Sequence, residues 1–164
     1  MPLVLPKELI DYPNEHGDLI QAHFGNVAAD LAAIPSDTRF VLICFTNRCG
    51  SHFLADALAS SGTLNRAGEM FNAEIVVGDS KAYGLCDIGQ FVGRLARTAS
   101  KHGILVSKAT VTQIAVLAKA GVLDHILPRT SFLLLERSDQ LGQAISYALA
   151  LGTDQWTSAH EARI

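Results

Sequence analysis

The stretch from Arg39 to Gly62 constrains the fold more than any other part of the chain. "RFVLICF" is an apolar run rich in β-branched and aromatic residues, and it reads as a buried strand. "TNRCG" is a short polar loop, and Ser51 to Ser60 reads as a helix. A strand, a tight loop and a helix in that order aim backbone N–H groups and the positive end of the helix dipole at one point, which suits an anion. Gly50 lets the backbone come close to a ligand. Arg48 supplies a permanent, forked positive charge, and Ser51 and His52 add side-chain donors. The competing reading is a plain helix start capped by Ser51, with Arg48 solvated.

The rest of the chain alternates strand and helix. After a proline-rich lead-in, "MPLVLPKELIDYPNE", the apolar residues of "GDLIQAHFGNVAADLAAIP" fall near helical spacing, which predicts one helix ended by Pro35; residues 1–38 form a helical lead-in. Gly62 to Tyr83 has no clean period and is expected to be a long loop. "DIGQFVGRLARTASKHG" predicts a helix ending at Lys101, His102 and Gly103, and "ILVSK" a strand. "TVTQIAVLAKAG" predicts a helix with Thr110 and Gln113 as a capping box and Gly121 at its end. "SFLLLE" predicts a strand, and "SDQLGQAISYALAL" a helix capped by Ser138 or Asp139. The expectation is a single α/β domain over residues 1–164, with a central parallel sheet flanked by helices. Ligands in such folds bind at the carboxyl ends of the strands. Two of those ends are polar and basic here, "TNRCGSH" and "ERSD".

Several function classes are disfavoured. A formal net charge of -3 gives no sign of a nucleic-acid or anionic-membrane surface, so any anion site must be local. The three cysteines include no C-x-x-C, and the six histidines are dispersed, so neither a disulfide framework nor a metal site is expected. The sequence shows no signal peptide and no long apolar run, which predicts no membrane span and a cytoplasmic location. The loop lacks G-x-x-x-x-G-K, the arginine spacing of a tyrosine phosphatase and the G-x-S-x-G elbow of a serine hydrolase.

"TNRCGSHFLADALASSG" resembles the 5′-phosphosulfate loop of sulfotransferases, in the R-S-G-S-T-L-L form of the bacterial trehalose-type and lipopolysaccharide-type carbohydrate sulfotransferases. "NRAGEMFN" is similar to that family's glutamate before an aromatic. "ILVSKATVTQ" sits where the family has a strand carrying a lysine, and "ERSDQLGQAISYALALGTDQW" is similar to its R-x-D-K-x-x-Q-A-x-S helix and T-G-Q-W. The resemblance runs from Phe40 to Trp156. It implies a P-loop-like sulfotransferase fold, 3′-phosphoadenosine 5′-phosphosulfate as donor, no metal, and a carbohydrate or glycolipid acceptor. By the same resemblance Arg48, Cys49, Gly50, Ser51, His52 and Phe53 hold the 5′ end, Arg137 and Ser146 meet the 3′-phosphate, and Glu69 is the base, with Glu74 as its fallback.

The sequence departs from the pattern at Cys49, His52 and Gln140, where the family has serine, threonine and lysine. Family members run on past the T-D-Q-W segment into a tail that often makes a dimer contact. The resemblance therefore implies a shortened member without the C-terminal part, for which a homodimer is one arrangement. The alternative from another class is a non-catalytic nucleotide-binding or interaction protein that kept the fold. Lys108 and Arg94, as single charges, are expected at the surface. Trp156 is expected to pack, and Cys49 to be a small buried residue facing the sheet.

Overall fold

The computed structural model describes residues 6–10 and 14–156. Among them three strands form one parallel sheet in the order β2-β1-β3: β1 at Arg39–Phe45, β2 at Ile104–Ala109 and β3 at Thr130–Leu135. The apolar run that opened the sequence reading is thus the central strand. Helices fill the connections: α1 (Lys7–Ile10), α2 (Glu15–Phe24), α3 (Ser51–Ser60), α4 (Ala73–Tyr83), α5 (Ile88–Thr98), α6 (Val111–Lys119), α7 (Val122–Ile126) and α8 (Gln140–Thr153). The expected α/β class and the positions of all three predicted strands hold. No single helix among the described residues is long and apolar enough to cross a membrane.

The main core packs Phe40 and Leu42 of β1 and Leu105 of β2 against Phe71, Val76, Phe91, Val92 and Leu117. A smaller cluster on the other side joins Ile43, Val106, Ala55 and Ala67. Because side chains alternate along a strand, neighbouring positions of β1 feed the two clusters in turn.

Four local expectations need correction. The predicted 17–35 helix is broken: α2 ends at Phe24, Gly25 takes a φ of 66, and a 3₁₀ turn at Leu31–Ala33 follows. Part of the expected 62–83 loop is α4, capped by the Asn72 side chain and closed by left-handed Gly84. Its Ile75, Val76, Val77 and Gly78 are poor helix formers, and burial of Ala73, Val76 and Ser80 on one face overrides them. The helix predicted to reach Gly103 stops at Thr98, and His102 and Gly103 form a left-handed turn into β2. The proline-rich start, for which no helix of its own is predicted, contains α1; residues 1–5 and 11–13 lie outside the described part. The Thr110–Gln113 capping box is present, and Asp139 rather than Ser138 caps α8.

The two edges of the sheet are treated differently. Along β2, Asn65 mimics a missing strand. Its side chain accepts from Val106 N at 2.8 Å and donates to Val106 O at 2.8 Å. Lys108 N then donates to Gly68 O at 2.8 Å, so residues 65–70 cover that edge. β3 pairs with β1 on one side, and its Phe132, Leu133 and Leu134 are exposed.

Candidate functional site

The order β2-β1-β3 means that the chain leaves β1 toward one neighbour and later returns on the other side of β1. In parallel α/β sheets ligands bind outside the carboxyl ends of the strands at such a reversal, which here means the ends of β1 and β3. Residues 46–50 follow β1 and residues 136–139 follow β3, so both polar strand ends of the sequence reading meet there.

The loop after β1 is tightly curled. Arg48 has φ 65 and Gly50 φ 93, both in the left-handed region, on either side of buried Cys49. Glycine adopts this freely, whereas an arginine does so only when its surroundings hold it. They do. Arg48 Nε donates to Ser146 Oγ at 2.8 Å, and Arg48 Nη1 donates to the Trp156 carbonyl. From α8, Gln143 Nε2 donates to Thr46 Oγ1 at 2.9 Å and to Asn47 O at 2.7 Å. Arg137 reaches back to the same loop, donating to Arg48 O at 3.5 Å and to Asp139 Oδ2 at 3.0 Å. The amide of Gly142 and, next, the Arg137 guanidinium hold the Asp139 carboxyl below its ordinary range.

The start of α3 corrects one reading. Its N-cap is Gly50, which has no side chain, and Ser51 is the first helical residue. The Ser51 cap of the competing reading is not made. The first-turn amides therefore face the crevice end without a side-chain acceptor, the condition in which a helix start favours an anion. Ser51 is buried, His52 is exposed, and the Phe53 ring is 81% exposed.

Beside this loop lies a feature that the sequence reading placed wrongly. Lys108 is not a surface residue: it is 2% exposed. Its ammonium sits 3.5 Å from Glu69 Oε1 and 5.3 Å from the centre of the Phe45 ring. Burial pushes its pKa below the usual lysine value, and the Glu69 charge opposes that shift. Burial and then the Lys108 charge likewise hold His52 below its ordinary value, so its imidazole is neutral at pH 7. Glu69 is fixed by its neighbours: Met70 N donates to Ser107 Oγ at 3.3 Å, and Gly68 O accepts from Lys108 N. Glu74 lies in the first turn of α4 and is exposed. Arg94, also assigned to the surface, is half-buried and lies over the Tyr83 ring at 3.3 Å. Trp156 packs at 5.9 Å from Tyr147.

The arrangement thus joins Arg48, Arg137, Gln143 and Ser146 in one loop-and-helix lock next to Gly50 and Ser51, with Lys108 and Glu69 as an ion pair whose charges act on His52. The missed member, Lys108, had a signal in the sequence. In "ILVSKA" two polar residues sit at the carboxyl end of a strand, where ligand-binding groups gather. No protein-family model, no curated protein and no solved structure matches the chain.

Proposed function

We propose that the protein is a sulfotransferase on a P-loop-like fold, moving a sulfuryl group from 3′-phosphoadenosine 5′-phosphosulfate to a carbohydrate hydroxyl. The observation that carries this reading is the meeting of Arg48 with Arg137 and with Ser146, 98 positions away, at a helix start that has no side-chain cap. A donor that carries a 5′-phosphosulfate and a 3′-phosphate offers anionic oxygens to such a pair of cations, and bidentate guanidinium groups suit phosphate oxygens. In the transfer, the bond between sulfur and the 5′-phosphate oxygen breaks and a bond from sulfur to the acceptor oxygen forms. The acceptor proton goes to Glu69. The Lys108 ammonium, 3.5 Å from that carboxylate, adds positive charge where the transferring group's oxygens would lie.

A second reading, a non-catalytic nucleotide-binding or interaction protein, is favoured by one observation. Arg48 and Arg137 already have partners within the chain, Ser146 and Asp139, so the lock is complete without an anion. A guanidinium has five N–H groups, and these contacts use only part of them.

Nucleotide binding is the first test. The product nucleotide, 3′-phosphoadenosine 5′-phosphate, at a hundred times its dissociation constant should add about 2.7 kcal/mol of stability. For a chain of this size that raises the melting temperature by roughly 5–10 °C. A melt unmoved by millimolar nucleotide rejects the donor site.

The lock itself gives a second test. Arg48→Ala should weaken nucleotide binding by about 1.5–3 kcal/mol, the range for a hydrogen bond to a charged group. Arg48→Lys should recover part of this, since a point charge cannot grip two oxygens. Calorimetric titration of the three proteins checks it, and equal affinities would make Arg48 a strap for α8 and nothing more.

A further inference from the structure

Arg48 gives one of its donors to the main chain of a distant segment. Its Nη1 donates to the carbonyl of Trp156, 108 positions away, while its Nε donates to Ser146 Oγ at 2.8 Å. The two acceptors ride on different pieces of chain. Ser146 lies within α8, whereas Trp156 follows Asp154, which ends that helix in a left-handed conformation with φ 56.

The turn at 154–156 is built as a unit. Trp156 Nε1 donates to Asp154 Oδ1 at 3.2 Å, and Gln155 N donates to Thr153 Oγ1 at 3.4 Å. The Trp156 ring leans on Tyr147 of α8, with 5.9 Å between ring centres. Asp154 and Gln155 are exposed and Trp156 is half-buried. A turn tied to its own helix in this way can swing about residues 153 and 154 without unravelling, and the bond to Arg48 is what brings it to the loop after β1.

We propose that the turn at 154–156 is a gate on the anion loop. The Trp156 carbonyl holds Arg48 Nη1 in the ligand-free chain, and a phosphate oxygen takes its place and releases the turn. This rests on the reading of Arg48 as an anion-binding residue, though not on sulfuryl transfer itself. The exchange is downhill in chemistry. A peptide carbonyl is a neutral acceptor, whereas a bond from guanidinium to a phosphate oxygen is charged on both sides and roughly twice as strong. It also leaves the guanidinium aimed. The Nε bond to Ser146 need not break, and Gln143 keeps its hold on Asn47, so the loop stays curled with Arg48 at φ 65 in both states. The carbonyl thus acts as a placeholder that orients the donor before the anion arrives. Its effect on affinity is inhibitory, because a site that is closed for part of the time binds more weakly by the open fraction.

Trp156 is the one tryptophan of the chain, so its emission reports the turn directly. In the ligand-free protein, Arg48→Ala should shift that emission to longer wavelength and raise its quenching by acrylamide. In wild type, inorganic pyrophosphate and 3′-phosphoadenosine 5′-phosphate should each produce the same shift, along a curve that matches binding measured by calorimetry. Tyr147→Ala removes the rest of the Trp156 ring without touching the loop, and it should raise affinity for both anions by about three- to tenfold, since the closed turn is less populated. Unchanged emission in ligand-free Arg48→Ala overturns the gate whether or not anions bind; should that variant fail to fold, the affinity of Tyr147→Ala decides. Calorimetric binding with no response from Trp156 overturns the gate and leaves the anion site standing. An affinity in Tyr147→Ala equal to or below that of wild type means that the turn completes the pocket instead of closing it. Absence of binding by either anion to both wild type and Tyr147→Ala rejects the anion site, and the gate falls with it.

Discussion

Glu69→Gln is expected to lower sulfate transfer by about 10²–10⁴-fold, the usual contribution of a positioned base, while nucleotide affinity stays within twofold. A sugar hydroxyl is a weak nucleophile at neutral pH, so removal of its proton as sulfur is attacked dominates the barrier that a side chain can lower. The amide keeps the shape and loses the proton acceptor. It also strands a buried ammonium. Lys108 is 2% exposed and Glu69 is its partner at 3.5 Å. Breaking a buried pair from one side costs up to about 3–5 kcal/mol, and here toward the low end because Glu69 is partly exposed. Glu69→Gln should therefore be less stable as well as slow. Lys108→Met in the same chain separates the two effects. The double variant Glu69→Gln/Lys108→Met should regain stability and remain slow. If it regains activity along with stability, Glu69 is a counter-ion and not a base.

The same pair sets a pH dependence. Lys108 has its folded pKa lowered, chiefly by burial, from an ordinary 10.5. Below the lowered value both folded and unfolded chains carry the proton, and the buried charge costs stability in full. Between that value and 10.5 the unfolded chain binds more protons, so stability rises with pH. The difference in unfolding free energy between wild type and Lys108→Met should therefore move in favour of wild type as pH is raised toward 10.5. In Glu69→Gln the window should open at lower pH, because the opposing negative charge is gone. Urea titrations of the three proteins at several pH values measure this.

The parts of the fold legible in the sequence were those written by one dominant local signal. "RFVLICF" and "SFLLLE" have no competing period, and the Thr110–Gln113 box marks a helix start by chemistry alone. α4 was not legible because its β-branched centre argues against a helix, while its N-cap, Asn72, lies in the middle of what looked like one loop and Gly84 just past its end. α2 was overextended because Leu31 and Ile34 continue a helical spacing that Gly25 has already broken. Periodicity reports which residues are apolar, and one left-handed glycine decides whether they belong to one element.

The candidate site divides in the same way. The polar ends of β1 and β3 could be placed together from strand order, and Arg48, Arg137 and Ser146 do meet. The Lys108–Glu69 pair could not be found from spacing. It depends on Asn65 and Gly68 docking a loop against the β2 edge, a contact between segments that local rules treat as unrelated. Lys108 was expected at the surface because most lysines are there, and one buried beside a carboxylate is identified only when its partner is known.

Asp87→Ala is expected to destabilise the fold by about 2–4 kcal/mol, a large loss for a single polar side chain. Asp87 is 4% exposed and caps α5. One of its oxygens, Oδ1, accepts from Gly89 N at 2.7 Å, from Gln90 N at 3.0 Å and from Asp30 N at 2.8 Å. The last bond crosses 57 positions and ties the 3₁₀ segment to the helix. That segment lies against α5 at backbone contact: a Cβ on Gly89 would come within 2.5 Å of Asp30 O, and one on Gly93 would run into Ala33 O. Farther along, Arg97 Nη1 donates to Ala33 O at 2.7 Å. Alanine at 87 removes the cap, worth about 1 kcal/mol, and leaves the buried N–H groups without an acceptor, at about 1–3 kcal/mol more. At roughly 2–4 °C per kcal/mol for this size, the melting temperature should fall by about 10 °C. Asp87→Asn keeps an oxygen at the position that takes all three bonds and should cost under about 1 kcal/mol, since asparagine caps nearly as well as aspartate. Differential scanning calorimetry of the two variants checks the argument. Equal losses would mean that the negative charge, and not the placement of one acceptor, holds the segment to α5.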